Sequence, residues 1–331
     1  MPAKIVECVP NFSEGRDAAK IKAIADAVQS VPGVKLLHVD SGADVHRTVV
    51  TFIGTPEAVA EAAFRAIAKA AEVIDMRRHR GEHPRLGATD VCPFVPVEGV
   101  TLDQCAELAR KGGRRVGDEL GISVYFYEAA ASDPRRKNLA DVRRGQYEGL
   151  PKKLSDAGWK PDCGPARFNA RSGATVIGAR EFLIAYNINL NTRDKAAAAD
   201  IAAQLRETGR AGRAGEFKFC KAIGWYVEQY GRAQISMNLT NYHVTPPHVV
   251  LERARQLAAN RGLAVTGSEI IGMIPYAALL DAGKYYLARQ GRSIDIPPAD
   301  ILETAIQSMG LRDVGPFDIQ EKVIGLPASG A

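Results

Sequence analysis

The sequence predicts an α+β protein built from two βαββαβ units, with helices packed on one face of each sheet. Three observations predict it. Strand and helix periodicities alternate along the chain. The same order of elements occurs twice. A stretch dense in Gly, Pro and charge, residues 130–173, closes the first run before the second begins. At 331 residues the chain suits two domains of ordinary size. The expected boundary gives an N-terminal subdomain of residues 1–178 and a C-terminal one of residues 179–331.

In the first run, residues 5–9 form a short β-branched strand. Residues 17–31 carry Ile21, Ile24, Ala25 and Val28 at helical spacing and stop at Pro32-Gly33. Residues 35–39 and 48–53 read as strands joined by the turn chemistry of Ser41-Gly42-Ala43-Asp44. Pro56 opens an Ala-rich helix over 57–74, and residues 91–96 form a further strand. A helix over 102–120, a strand over 123–127 and a helix near 141–154 follow, then a long loop. In the second run, strands fall at 182–190, 217–227, 233–239 and 264–270, with helices at 194–207 and 246–261. Helices at 275–287 and 300–308 complete the chain, and the basic, Gly-rich residues 206–218 read as a mobile loop. Both runs have the order of a ferredoxin-like unit, so the fold class is a duplicated ferredoxin-like one.

Hydrophobic residues make up 46% and charged residues 24%, an ordinary globular balance. The formal net charge of +5 is spread along the chain. No basic tail interleaved with aromatics occurs, which argues against a nucleic-acid partner. A mildly basic surface serves solubility, or a small polyanionic ligand. Cys8, Cys92, Cys105, Cys163 and Cys220 are odd in number and make no Cys-x-x-Cys pair, so neither a disulfide framework nor a zinc site is expected. No apolar signal core opens the chain, and no apolar run reaches the ~18–20 residues of a membrane span. The expected location is cytoplasmic, with reduced thiols and no membrane partner.

The densest polar cluster spans residues 75–87 and holds Arg77, Arg78, His79, Arg80, Glu82, His83 and Arg85 between a helix and a strand. Pro84 keeps His83 out of the α region. An imidazole titrates near neutrality, and neighbouring arginines would keep it a neutral base. The other reading of the cluster is a solvated basic loop. His79 and His83 have the spacing of a helical metal pair, but Gly81 and Pro84 break such a helix, so no metal is expected. His46, beside Arg47 at a strand start, is placed to face a cleft. His38 reads as packing, and His243 and His248 as caps or surface residues. Gly164-Pro165-Ala166-Arg167-Phe168-Asn169-Ala170-Arg171-Ser172-Gly173 has glycine at both ends. Such a segment lets backbone approach a ligand, with Phe168 to stack on a flat ring and Asn169 to read its edge. The alternative is a connector. No nucleotide-binding glycine fingerprint and no Gly-x-Ser-x-Gly elbow occurs.

Longer motifs carry a resemblance. Glu7-Cys8-Val9-Pro10-Asn11-Phe12-Ser13-Glu14-Gly15 resembles the opening signature of the glutamate formimidoyltransferases. His79-Arg80-Gly81-Glu82-His83-Pro84-Arg85 is similar to that family's His-Lys-Gly-Glu-His-Pro-Arg stretch, and Asp90-Val91-Cys92-Pro93-Phe94 continues in register. Further matches run from Gly173 to Arg180, from Phe182 to Asn187, and through Ile223-Gly224-Trp225-Tyr226 and Pro316-Phe317-Asp318. The resemblance spans essentially the whole chain. It implies a homodimer, two ferredoxin-like subdomains with a folate cleft between them, and tetrahydrofolate as co-substrate. It implies His83 as catalytic base and residues 164–173 as the folate-binding segment. His46 departs from the Asn of vertebrate members. No cyclodeaminase segment follows within these 331 residues, so the product is expected to need a separate enzyme.

The expected reaction moves the formimino group of N-formimino-L-glutamate to N5 of tetrahydrofolate, in histidine degradation. Arg47 and Arg85 are the candidates for substrate carboxylates, because guanidinium forks suit them. Glu7 and Asp40 are candidates for pterin or amidine N–H groups, and His46 lies near the glutamate-binding loop. Two alternatives stay open. One is an enzyme acting on 5-formyltetrahydrofolate or formyl-glutamate. The other is a non-catalytic folate-binding protein.

Overall fold

The computed structural model describes residues 4–326 and divides into two compact units between Glu181 and Phe182. In the first unit, β1 (Ile5–Cys8) and β2 (Asn11–Phe12) form one run interrupted at Val9-Pro10. Then come α1 (Ala18–Gln29), β3 (Val34–Gly42), β4 (Arg47–Gly54), α2 (Pro56–Val73), β5 (Thr89–Glu98), α3 (Leu102–Leu120) and β6 (Ser123–Glu128). Two short helices, α4 (Leu139–Val142) and α5 (Gln146–Ser155), and β7 (Ala174–Ala179) complete it.

Local chemistry sets the helix ends. Asp17 caps α1 by accepting from the Ala19 and Lys20 amides. Thr55 caps α2 just before Pro56. Thr101 and Gln104 make a reciprocal capping box on α3, and Gly121 ends it in the left-handed region.

The sheet runs β3-β4-β1/β2-β5-β7-β6, with β7 parallel to both β5 and β6 and the other pairs antiparallel. One face packs Val6, Cys8, Phe52, Cys92, Phe94, Val124, Phe126 and Ile177 with the helix residues Ile24, Val28, Val59, Ala66 and Val116. The alternate residues Val91, Tyr125, Tyr127 and Val176 build a second core with Leu86, Val142, Leu150 and Leu154.

Three expectations need correction here. Helices do not keep to one face of this sheet, because β5, β6 and β7 are apolar on both faces and α4 and α5 cover the second. The single helix expected near 141–154 is two, broken where Gly145 (φ 87°) and Gln146 (φ 54°) leave the right-handed region. No strand is expected at 174–179, where β7 lies; its short run of small and branched residues lacks the alternation of a half-exposed strand, as buried parallel strands do.

The second unit holds β8 (Ile184–Leu190), α6 (Lys195–Leu205), β9 (Cys220–Val227), β10 (Arg232–Leu239), α7 (Pro247–Ala259) and β11 (Val265–Ile271). Its antiparallel sheet has the order β11-β8-β10-β9. Tyr186, Ile188, Ile235 and Met237 pack against Ile201, Val250, Leu251 and Leu257 on one face. The short β12 (Ile274–Pro275), helices α8 (Tyr276–Arg289), α9 (Pro298–Met309) and α10 (Ile319–Lys322), and β13 (Val323–Ile324) follow. Residues 206–218 are tied back by backbone bonds, among them Glu207 N to Cys220 O (2.9 Å) and Glu216 N to Gln204 O (2.9 Å). No helix among the described residues is long and apolar enough to cross a membrane.

Candidate functional site

The polar cluster of residues 75–88 leaves the C-terminus of α2 and enters β5. Met76 anchors it in the core, and the Met76 amide donates to Arg171 O at 2.9 Å. The Ala88 amide donates to Ser172 O (2.8 Å) and the Ala174 amide to Leu86 O (3.2 Å). The loop is thereby strapped to residues 171–174. Gly173 explains how closely: at φ 66°, a Cβ on it would lie 2.2 Å from Leu86 O. So the structure brings together the His83 loop and the Gly164–Gly173 segment.

Within that segment, Asn169 Oδ1 accepts from the Arg171 and Ser172 amides (3.0 and 3.1 Å) and shapes the turn. Phe168 tilts against Tyr147 with ring centroids 5.4 Å apart. Gly164, Pro165, Ala166, Arg167, Ala170 and Arg171 are exposed. The Arg171 guanidinium caps α2 by donating to the Ala71 and Glu72 carbonyls.

His83 is partly exposed. Its Nδ1 lies 2.7 Å from Pro84 O, a partner that only accepts. Nδ1 therefore carries the hydrogen in the neutral ring, and Nε2 carries the lone pair. Burial pushes its pKa well below the usual histidine range, the Arg47 and Arg143 guanidiniums push it further down, and Asp90 opposes them. The ring is thus neutral at physiological pH, with Arg47, Arg143 and Asp90 as charged neighbours.

Asp90 is fully buried at the centre of this charge set. Its Oδ1 accepts from the Leu86 amide (2.9 Å) and Arg143 Nε (3.3 Å). Its Oδ2 accepts from Arg47 (2.7 Å) and from Arg143. Burial would raise this carboxyl, but the two guanidiniums hold it well below the usual carboxylate range. Arg47 also donates to Asn11 Oδ1 at 3.0 Å, and burial lowers its pKa to about 10.

A second network sits beside the first. His79 and His46 stack with centroids 4.2 Å apart. His79 Nε2 donates to His46 O (2.8 Å), and Arg85 Nε donates to His79 Nδ1 (3.2 Å). Burial lowers the His79 pKa to about 4. His46, at φ 49°, places Nδ1 2.8 Å from Arg80 O and Nε2 3.0 Å from Glu14. Burial would raise Glu14, but the Arg16 and Asp17 amides, Lys20 and His46 bring it to about 2. Beside this stack, Lys20, Arg77, Arg78 and Arg171 line a recess of about 380 Å³ together with Glu14 and Asp75, which pair with Lys20 and Arg77.

The two arginines expected to take substrate carboxylates are both turned on the chain's own: Arg47 on Asp90, and Arg85 on Glu148 as a two-pronged pair (2.7 and 2.8 Å). Glu7 lies in β1 between Val6 and Cys8, which face the helices, so it points to the other face. It is 1% exposed, burial raises its pKa to about 7, and its Oε2 has no hydrogen-bond partner among the described residues. Asp40 is half-buried in β3, with Oδ2 3.7 Å from His38 Nε2.

Sequence reasoning did not single out Asp90 or Arg143 as part of the charge set around His83. A lone carboxylate entering an apolar strand was the available signal for Asp90. Arg143 had none, since its partner is 53 residues away.

Residues 5–180 match the formiminotransferase domain, N-terminal subdomain, and residues 185–327 match the formiminotransferase domain. The chain belongs to the formiminotransferase family. It is 46% identical over 289 residues to a glutamate formimidoyltransferase of Thermoplasma acidophilum, covering 87% of this chain and 93% of that one. A glutamate formimidoyltransferase of Streptococcus pyogenes is 44% identical over 285 residues, covering 86% and 94%. A formimidoyltransferase-cyclodeaminase of Dictyostelium discoideum is 46% identical over 323 residues, 97% of this chain but 60% of that protein. The chain thus spans about 60% of the length of the bifunctional relatives it matches.

Proposed function

We propose that this protein is a glutamate formimidoyltransferase, moving the formimino group of N-formimino-L-glutamate to N5 of tetrahydrofolate with release of L-glutamate. The observation that carries the reading is His83: an imidazole kept neutral by burial and two guanidiniums, with its lone pair on Nε2. It rides on a loop strapped to the Gly164–Gly173 segment, in a chain of this family.

Tetrahydrofolate supplies the nucleophile, its N5 amine. His83 Nε2 takes the proton released as that amine attacks the amidine carbon, and returns one to the departing glutamate nitrogen. General acid–base action of this kind contributes ~10²–10⁴ in rate. The exposed backbone from Gly164 to Arg167, with Phe168 behind it, suits a flat heterocycle. Glu7, near neutrality and with an open oxygen, suits an amidine or pterin N–H group. Asp40 and His46 keep their assignments to substrate N–H groups and to the glutamate loop. Arg78, at the recess, joins Arg47 and Arg85 as a carboxylate candidate, the latter two by exchanging Asp90 and Glu148 for substrate carboxylates.

The proposal includes a cytoplasmic homodimer of two ferredoxin-like subdomains joined near residue 178, acting in histidine degradation. The strand pairings β5-β1-β4-β3 and β11-β8-β10-β9 support that reading of the two units.

The test is steady-state turnover of tetrahydrofolate with N-formimino-L-glutamate, run beside His83→Ala. The variant should lose at least roughly tenfold in turnover and retain folate binding. Unchanged turnover removes His83 from its role. Turnover of formyl-glutamate or 5-formyltetrahydrofolate in preference to the formimino donor would replace the reaction.

A further inference from the structure

The break between α4 and α5 has a purpose the motifs do not reveal. Arg143 closes α4, and Gly145 and Gln146, both at positive φ, swing the chain so that residues 143–148 meet the His83 loop from outside. Arg143 forks onto Asp90, whose Oδ1 also holds the Leu86 amide (2.9 Å). The Tyr147 amide donates to Arg85 O at 2.9 Å. Gln146 Oε1 and the Glu148 carboxylate accept from the Arg85 guanidinium (3.2, 2.8 and 2.7 Å). The turn therefore grips Arg85 through backbone and side chain alike, and reaches the Leu86 amide through Asp90. Arg143 itself is largely buried, its side chain 15% exposed, which is unusual for a group serving only solubility.

We propose that the 143–148 turn is a clasp for the His83 loop, and that Arg143 is a positioning residue for His83, acting through Asp90. The inference rests on the reading of His83 as the base. Charged groups that face the imidazole among the described residues include Arg47 from β4, Asp90 from β5, and Arg143 from the clasp, with the Pro84 carbonyl on Nδ1. Arg143 has two separable effects on it. Its charge adds to burial and Arg47 in lowering the proton affinity of the ring, and its planar fork fixes Asp90 and so the Leu86 amide.

Two substitutions separate these effects. Arg143→Gln removes the charge, so the His83 protonation midpoint, followed by NMR titration of the folded protein, should rise by roughly half a pH unit or more. The acid limb of the kcat/KM profile should move to higher pH with it. Arg143→Lys keeps the charge and loses the fork. Its midpoint should stay near the wild-type value while kcat falls roughly fivefold or more. A midpoint unmoved in R143Q overturns the proposal, whatever His83→Ala does. A midpoint that moves without the rate profile following leaves the clasp standing and removes His83 as the base. Should R143Q fail to fold, R143K carries the test, and a wild-type kcat there overturns the clasp.

Discussion

The sheets of the two units bury polar side chains in different ways. The first buries charge. Asp90 lies fully enclosed between Arg47 and Arg143, and Glu7 Oε2 and Thr51 Oγ1 lack hydrogen-bond partners among the described residues. The second buries amides and hydroxyls in hydrogen-bonded chains, the amide chain reaching the Glu269 and Asp313 carboxylates. Trp225 Nε1 donates to Gln234 Oε1 (2.7 Å), and Gln234 Nε2 donates to Asn189 Oδ1 (2.9 Å). The Tyr186 hydroxyl donates to Ser268 Oγ (2.9 Å), which in turn donates to Met309 O (2.7 Å). A buried network whose members are all hydrogen-bonded costs little to keep and fixes strand register. Buried charge with open valences costs stability and is retained where a site needs shifted proton affinities. The strain of burial is concentrated in the unit that carries His83.

Substitutions can break or sharpen this contrast. The largest effect is expected from Asp90→Asn, which leaves two buried guanidiniums facing a neutral amide. Denaturant unfolding should show a loss of about 3–5 kcal/mol. A loss under ~1 kcal/mol would mean that the charge set is not holding the first unit together.

Next comes Glu7→Gln, whose effect depends on pH. The folded state raises this carboxyl from 4.5 to about 7, so the folded state binds more protons across that interval. The contribution of Glu7 to stability should therefore fall as pH rises from about 4.5 through about 7, and it is read as the difference between the two proteins because the lowered pKa values of His79 and His83 act in the opposite direction there. The Gln variant should lack that fall and gain on wild type by on the order of 2–3 kcal/mol at pH 8, with no such gain at pH 4. Parallel slopes for the two proteins would place the orphaned oxygen in ordinary solvent.

The smallest effect belongs to the second unit. Asn189→Ala frees Gln234 and Asp313 of one partner each and should cost about 1–2 kcal/mol in the same unfolding measurement. A loss equal to that of Asp90→Asn would erase the distinction between the two sheets.

Most of the fold was legible because periodicity and punctuation agree along the chain. Pro32-Gly33, Thr55-Pro56 and Thr101 with Gln104 mark helix ends by local chemistry, and the structure ends helices there. What was illegible lies where local and long-range demands diverge. β7 carries no alternation because it is buried on both faces. The break at Gly145 interrupts a helix pattern that continues through Leu150 and Leu154, because the turn must reach Arg85.

His83 and the Gly164–Gly173 segment stood out as a charged loop and a glycine-bounded one. Their strapping together could not be read from either, since the bonds run between main-chain groups that every residue possesses.

Residue types, spacing and local caps decided by themselves that this chain makes two runs of strands and helices, and that His83 cannot sit in a helix. The tertiary structure alone decided that Asp90 gathers Arg47, Arg143 and the Leu86 amide, that Arg85 is held by Glu148, and that the ring at His83 stays neutral. The physical reason is range. Backbone preference acts over a few neighbouring residues. Burial and Coulomb interaction depend on which groups the fold brings within a few ångströms, whatever their separation along the chain.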